Sequence, residues 1–276
     1  MVILTARHAF AYTFEETPKR LGVFETALNS FGVSSMSMGE SPILAIPGRT
    51  PGQVQLIQLS HQTQIQSCII LIAHTTTVVC IQLSPSGKLL ATASEKGTLI
   101  RVWDTTTSRL LNELRRGTDR ALIYSIAFSS DESRLAVSSD KGTVHIFNLL
   151  SSENEPSSHS TVVPKLSRLP SSPSLFSQFS GNRQSIFSPL SSYLPKYFSS
   201  EWSFASFSLP VESKCLIAFT RSDMASRYEK DPIMGPVFDK DDCGVLALCA
   251  DGSLYKMARQ LNGESEYDKK IIIAES

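Results

Sequence analysis

The sequence has no excess charge of either sign: 26 basic and 26 acidic side chains give a formal net charge of +0. Domains that bind nucleic acid usually carry a strongly basic face, so this balance disfavours nucleic acid as a partner. Any anion-binding site must be a local cluster of donors. No apolar run approaches the ~18–20 residues of a helical membrane span, so we expect contact with a membrane only at its surface.

Cysteine pairs and the common catalytic signatures are also missing. The five cysteines are scattered and form no CxxC pair, which is typical of buried, reduced thiols in a cytosolic protein. The sequence contains no G-x-S-x-G motif, no Walker-type glycine loop and no H-E-x-x-H. We therefore expect a protein that is not an enzyme and has no cofactor and no metal.

What the sequence does contain is an internal repeat with an offset of 45 residues. Each copy reads as an alternating strand, a polar turn, a second strand, an acidic-Lys-Gly turn and a third strand. The second copy drops one residue before its third strand. The matching segments are Val79–Ser84 with Tyr124–Ser129, Leu90–Ser94 with Leu135–Ser139, Glu95–Thr98 with Asp140–Thr143, and Val102–Trp103 with Ile146–Phe147.

The repeat predicts the fold class. Four strands every 40–45 residues are typical of propeller blades of the WD type, and Trp103-Asp104 stands where such repeats place their Trp-Asp pair. Weaker copies flank the central pair, at Pro42–Leu59 and Cys243–Met257. We predict an all-β, WD40-type β-propeller that occupies residues 1–276 as one domain, with about four and a half to five blades present. The first residues read as the middle of a blade, so we expect that N-terminal blades are missing.

Two adjacent arginines close the first copy of the repeat, in the run Leu114-Arg115-Arg116-Gly117. Successive side chains of a strand point to opposite faces, so the two arginines can serve two different pockets. The planar guanidinium bonds two phosphate oxygens at once. The alternative is a surface ion pair, for instance with Glu113.

A long insert interrupts one blade at residues 151–200 and is rich in serine and proline. From Ser157 to Ser200 it contains four basic residues and no acid. Cationic segments with bulky apolar groups suit insertion into an anionic membrane surface. The alternative is a loop that folds back over the propeller. The apolar residues that we expect to enter the membrane are Leu175, Phe176, Phe179, Ile186, Phe187 and Leu190.

Together, these features resemble the PROPPIN family, seven-bladed propellers that bind phosphoinositides in autophagy. The family hallmark is a Phe/Leu-Arg-Arg-Gly motif, which here is Leu114–Gly117. Within the family, the chain looks closest to the short-chain branch. Further stretches that resemble the family are Val23–Thr26, Gln53–Leu56, Ala93–Arg101, Ser139–Phe147 and Leu194–Ser199.

The resemblance implies two head-group sites on the edge of the propeller, for PtdIns3P and PtdIns(3,5)P2. For His74 an alternative is a structural role, and for Arg101 the choice lies between a solvated strand residue and a supporting phosphate contact. Because imidazolium is the stronger donor, we predict tighter binding at mildly acidic pH. The first site would use His74, Ser94, Thr98 and Arg115, and the second would use Arg116, Ser139, Thr143 and His145.

The resemblance also implies partners and a location. We expect a cytoplasmic monomer recruited peripherally to phosphoinositide-containing membranes of autophagosome precursors, endosomes and the vacuole. The family further implies an autophagy lipid-transfer protein as a partner, held largely by early blades that are missing or incomplete here. The alternative function is a WD-repeat scaffold that binds proteins and no lipid.

Overall fold

Short alternating strands joined by tight turns build the described part of the chain. The computed structural model describes residues 1–39, 41–59, 65–149, 200–210, 213–220, 244–259 and 265–272. Within these ranges, twenty strands form five sheets and no helix occurs. Accordingly, the described residues include no helix that is long and apolar enough to cross a membrane.

The first two sheets contain three and four strands. Their strands are β1 (Val2–Leu4), β2 (His8–Tyr12) and β3 (Arg20–Glu25), followed by β4 (Ser35–Met36), β5 (Ile43–Pro47), β6 (Gln53–Leu59) and β7 (Ile65–Ile72). Within each sheet, strands that are consecutive in the chain lie side by side and antiparallel.

The third and fourth sheets hold the two copies of the repeat. The third consists of β8 (Val78–Leu83), β9 (Leu89–Ser94), β10 (Leu99–Asp104), β11 (Leu110–Arg115) and, later in the chain, β15 (Glu201–Trp202). The fourth consists of β12 (Ile123–Phe128), β13 (Arg134–Ser139), β14 (Thr143–Asn148) and β16 (Ala205–Ser208).

The fifth sheet consists of β17 (Cys215–Phe219), β18 (Val245–Cys249), β19 (Ser253–Arg259) and β20 (Ser265–Ile272).

Each sheet packs face to face on the next through its own apolar layer, so four layers join five sheets. Representative pairs across the layers are Ala11 with Ile46, Val54 with Leu90, Leu114 with Val137, and Val144 with Tyr255. Twisted sheets of four strands stacked in sequence are the blades of a propeller. This confirms the predicted fold class, a WD-type propeller of about five blades.

The structure also confirms the difference between the two copies of the repeat. Ser94 lies opposite Leu99 in the first copy, whereas Ser139 lies opposite Thr143 in the second, because the first turn is one residue longer. Gly97 closes the longer turn at φ +62°, where a Cβ atom would lie 1.8 Å from the carbonyl oxygen of Ala121. Only glycine can adopt this positive φ without strain and also leave room for the Ala121 carbonyl.

The insert separates β14 from β16, which are the third and fourth strands of the fourth sheet. Residues 150–199, and with them every residue predicted to enter the membrane, lie outside the described residues. Of the five cysteines, Cys243 also lies outside. The other four are free thiols on strands, and Cys68 is exposed, so the prediction that the cysteines are buried is wrong for that residue.

Candidate functional site

Arg115 is the last residue of β11, Arg116 follows it directly, and the two side chains point to opposite faces of the third sheet. Arg115 lies opposite Leu99, and the ladder continues as Arg116 donates its backbone N–H to the Thr98 carbonyl at 3.0 Å. Arg116 therefore shares the face of Leu114, which belongs to the layer between the third and fourth sheets. Arg115 takes the other face, toward the second sheet. This alternation places the two arginines on opposite faces of the sheet, as the sequence pattern predicted.

The pocket of Arg115 is built from a row across three strands. Ser94, Leu99 and Arg115 are cross-strand neighbours on β9, β10 and β11, so their side chains lie on one face. Ser94 and Arg115 are both buried. The Arg115 Nε–H donates to the hydroxyl oxygen of Ser200, 2.8 Å away, which fixes the plane of the guanidinium.

His74 lies one row further along the same face. Its Nε2 is 3.0 Å from the Thr92 hydroxyl, which also accepts a hydrogen bond from the Trp103 indole N–H at 3.1 Å. Burial, reinforced by the nearby Arg101 cation, lowers the pKa of His74 to about 4. The contact with Thr92 ties His74 to β9, as the structural alternative requires, and the role of its Nδ1 side in binding stays a prediction.

The pocket of Arg116 uses the fourth sheet. Ser139 and Thr143 flank the turn between β13 and β14, next to the paired Ser138 and Val144, and His145 shares the face of Phe147, which belongs to the layer against the third sheet. His145 Nε2 is 3.2 Å from the Thr143 hydroxyl. Burial lowers the pKa of His145 to about 4, and the charge of Arg116 contributes to this shift.

Two backbone carbonyls accept hydrogen bonds from the Arg116 guanidinium. Its Nε–H donates to the Gly97 carbonyl at 2.9 Å, and its Nη2 donates to the Asp119 carbonyl. Burial lowers the pKa of Arg116, while the carboxylates of Asp140 and Asp119 raise it. An anion that enters this pocket therefore meets a buried cation whose charge these two acids partly offset.

The structure thus brings together most residues of each predicted site. Ser94 and Arg115 share a row, with His74 one row away, and Ser139, Thr143 and His145 share a face toward Arg116. Thr98 differs from its counterpart Thr143, because the longer turn leaves Thr98 before the first residue of β10.

Arg101 and Glu113 correct two of the alternatives. Their ion pair measures 2.9 Å, and Arg101 Nη1 also donates to the Ala73 carbonyl at 2.7 Å. Glu113 therefore pairs with Arg101, not with the twin arginines as the ion-pair alternative supposed. The Arg101 side chain is partly exposed, and both of these bonds hold its guanidinium against the sheet.

The lowered pKa values also contradict the premise of the predicted pH dependence. With a pKa of about 4, both imidazoles are neutral at pH 6 as well as at pH 7.5 in the unliganded protein. Neutral histidine still offers one N–H donor. At mildly acidic pH, His74 and His145 are therefore neutral and do not act as imidazolium donors.

Sequence reasoning missed Thr92, Ser200 and Ser203. Thr92 occupies the centre of the His74–Trp103 contact, and a hydroxyl two residues before Ser94 on an alternating strand was the available signal. Ser203 Oγ lies 3.1 Å from His145 Nδ1. Ser200 is the last residue of the long insert and Ser203 lies three residues beyond it, and their approach to the pockets has no local sequence signature.

The donor set in both pockets suits an anion. It consists of guanidinium groups, hydroxyls and neutral imidazoles, which are the groups that bind phosphate oxygens. Among the described residues, no cluster of three or more His, Cys, Asp or Glu side chains could hold a metal ion.

Five sheets stacked in sequence, two of them built from matching copies of one repeat, define a WD-type propeller. Comparison with known families specifies the class further. The PROPPIN family model matches residues 19–200, and the chain belongs to the PROPPIN family. The resemblance carried by Leu114–Gly117 is thereby confirmed.

Curated relatives agree with this assignment. SVP1-like protein 2 of Pichia angusta is 37% identical over 214 residues, which cover 77% of this chain and 54% of the relative. Autophagy-related protein 18e of Arabidopsis thaliana is 37% identical over 223 residues, covering 79% and 51%. The chain thus spans about half the length of the curated relatives it matches.

Solved structures show the same fold at lower identity. Kluyveromyces lactis Hsv2 superposes with a TM-score of 0.65 at 21% identity, covering 99% of this chain and 73% of Hsv2. The propeller in the complex of KlAtg21 with the coiled coil of AgAtg16 superposes with a TM-score of 0.56 at 20% identity, covering 99% and 70%. At these identities the likeness establishes the fold alone.

Proposed function

We propose that this protein is a phosphoinositide effector with two head-group pockets, one around Arg115 and one around Arg116. It binds lipids such as PtdIns3P and PtdIns(3,5)P2 and performs no catalysis. The observation that supports this most is the division of two buried arginines between opposite faces of one sheet, each toward hydroxyl and imidazole groups. Family membership supports the choice of lipid head groups as the anions.

The chemistry of each pocket explains how a phosphate would be held. Each guanidinium uses its Nε–H on the protein, and Arg116 also donates through Nη2 to the Asp119 carbonyl, so both planar groups are held in place for bidentate contact with a phosphate. Hydroxyls of Ser94, Ser139 and Thr143 supply neutral donors. In the Arg116 pocket, the phosphate would replace part of the interaction with Asp140 and Asp119, so this pocket would bind more weakly than its arginine alone implies.

Both pockets lie at the turn between the second and third strands of their sheets, and therefore at one edge of the stack. An edge with two pockets can engage two lipids of one membrane, and each contact raises the effective concentration for the other. The cationic, apolar insert at residues 151–200 would add interfacial contact. We place the protein on membranes of autophagosome precursors, endosomes and the vacuole, with a lipid-transfer protein or another autophagy protein as partner.

Liposome flotation tests this proposal. Wild type is compared with Arg115→Thr/Arg116→Thr on vesicles with and without PtdIns3P or PtdIns(3,5)P2. The matched control is Arg20→Thr/Arg49→Thr, which removes the same charge from exposed positions on the first two sheets. We expect flotation of wild type and of the control only on phosphoinositide vesicles, and none by the pocket variant.

Two outcomes would contradict the proposal. Equal flotation of the pocket variant and wild type would show that the arginines are not the lipid site. A folded wild type that floats with neither lipid would favour a propeller that binds proteins only.

A further inference from the structure

The segment from Ser200 to Ser208 crosses between the sheets that carry the two pockets. Its first part, β15, pairs in parallel with β11 at the outer edge of the third sheet. Its second part, β16, pairs with β14 in the fourth sheet. Only Ser203 and Phe204 separate the two strands, and Phe204 donates its backbone N–H to the Ile146 carbonyl at 3.0 Å. The crossing is thus tied to both sheets by backbone hydrogen bonds.

Two serines of this segment contact one residue in each pocket. Ser200 Oγ accepts the hydrogen bond from Arg115 Nε at 2.8 Å, and both residues are buried, with 2% and 7% of their surface exposed. Ser203 Oγ is 3.1 Å from His145 Nδ1. A single short stretch of chain therefore reaches the arginine of one pocket and the imidazole of the other.

The contact with Ser200 determines how Arg115 is presented. The N–H donors of a guanidinium form a rigid planar fork, so fixing the Nε–H orients the donors at the far end of the group. A donor that is oriented in advance loses less conformational freedom when an anion binds. Removal of the Ser200 hydroxyl takes away this hydrogen bond and leaves the charge of Arg115 unchanged.

The contact with Ser203 affects which ring nitrogen of His145 carries the hydrogen in the other pocket. A neutral imidazole carries one N–H, and hydroxyls of Ser203 and Thr143 stand at its two nitrogens, 3.1 and 3.2 Å away. If Ser203 donates to Nδ1, then Nε2–H donates to Thr143, and the Thr143 hydrogen is directed elsewhere. Ser203 thereby influences whether Thr143 can donate to a ligand.

We propose that Ser200 and Ser203 are positioning residues of the two anion pockets: Ser200 orients Arg115, and Ser203 sets the tautomer of His145, for recognition of a phosphomonoester. This inference rests on the proposed function. It adds the segment from Ser200 to Ser203, which includes β15, to the two pockets.

The test of Ser200 is binding of a soluble head group, inositol 1,3-bisphosphate, followed by calorimetry. Ser200→Ala should weaken binding at the Arg115 pocket about 3–10-fold, the net effect of one ordinary hydrogen bond. Ser200→Thr, which keeps the hydroxyl, should restore it, and Ser30→Ala at an exposed position is the control. In an Arg115→Lys background, which has no Nε–H fork, Ser200→Ala should have no further effect.

The test of Ser203 needs no ligand. The ¹⁵N chemical shifts of the His145 ring distinguish its two tautomers, and Ser203→Ala should change their populations while the shifts of His74 stay constant. The same variant should weaken head-group binding at the Arg116 pocket about 3–10-fold.

The outcomes separate this inference from the proposed function. If wild type binds the head group while both alanine variants bind equally well and the His145 shifts are unchanged, the positioning roles are refuted and the proposed function stands. If Ser200→Ala weakens binding equally in the Arg115→Lys background, Ser200 does not act through Arg115. If the folded wild type binds no head group, the proposed function fails and this inference fails with it.

Discussion

Burial of two neutral imidazoles predicts a specific loss of stability in mild acid. The pKa values of His74 and His145 are about 4 in the folded protein, against the ordinary value of 6.5. Since the folded pKa is the lower one, the unfolded chain binds protons first. The stabilisation is complete above pH 6.5 and disappears as the pH falls from 6.5 to 4. This difference in pKa corresponds to a free energy of unfolding of about 3 kcal/mol for each imidazole, of which about 2 kcal/mol is lost by pH 5.

Carboxylates titrate in a different window. Hydrogen bonds keep the pKa values of Asp104 and Asp131 below 3.8, so their contribution is lost only below about pH 4. Between pH 7 and pH 5 the change therefore reports the imidazoles.

The assay is urea unfolding followed by tryptophan fluorescence at pH 7.5, 6 and 5, for wild type and for His74→Gln and His145→Gln. Each variant should lose about 2 kcal/mol less stability than wild type between pH 7.5 and pH 5. An NMR titration in which either ring protonates near pH 6.5 in the folded protein would refute the reasoning, as would an identical pH dependence in all three proteins.

Two further perturbations test the sheet that supports the pockets. Gly97→Ala should destabilise the protein by more than Gly252→Ala, because both positions have positive φ but only Gly97 faces a carbonyl, that of Ala121, at 1.8 Å from an added Cβ. The backbone strain alone costs roughly 1–2 kcal/mol, and equal unfolding midpoints would contradict the close approach. Glu113→Gln removes the carboxylate that pairs with the Arg101 cation and should cost about 1–3 kcal/mol in urea unfolding; an unchanged midpoint would show that the pair is not structural.

Much of the fold was predictable because the repeat is local. Each hairpin of the repeat is encoded in a short run of residues. Strands β9, β10, β13 and β14 alternate between apolar and polar residues, and an acidic-Lys-Gly turn joins each pair. Such local patterns indicate a hairpin independently of distant parts of the chain. The same alternation predicted that Arg115 and Arg116 face opposite ways. The one-residue difference between the two turns was visible in the alignment and appears as the shifted partner of Ser94.

The rest depends on contacts that sequence order does not reveal. Ser200 approaches Arg115 after a separation of 85 residues, and Ser203 approaches His145 after 58. The pairing of Arg101 with Glu113 was missed because it requires the register of β10 against β11. The premise of tighter binding at mildly acidic pH failed for a related reason. The sequence identifies a histidine but does not show whether it is buried, and burial lowers the pKa values of both His74 and His145.

The central claim is that two separate pockets each bind one phosphorylated inositol. Calorimetric titration with inositol 1,3-bisphosphate at pH 7.5 tests it most directly, with wild type, Arg115→Ala, Arg116→Ala and the double variant. The account predicts two sites in wild type, one in each single variant and none in the double variant, whose fold is checked by circular dichroism. One site in wild type, or full loss of binding in either folded single variant, would contradict the claim of two independent pockets.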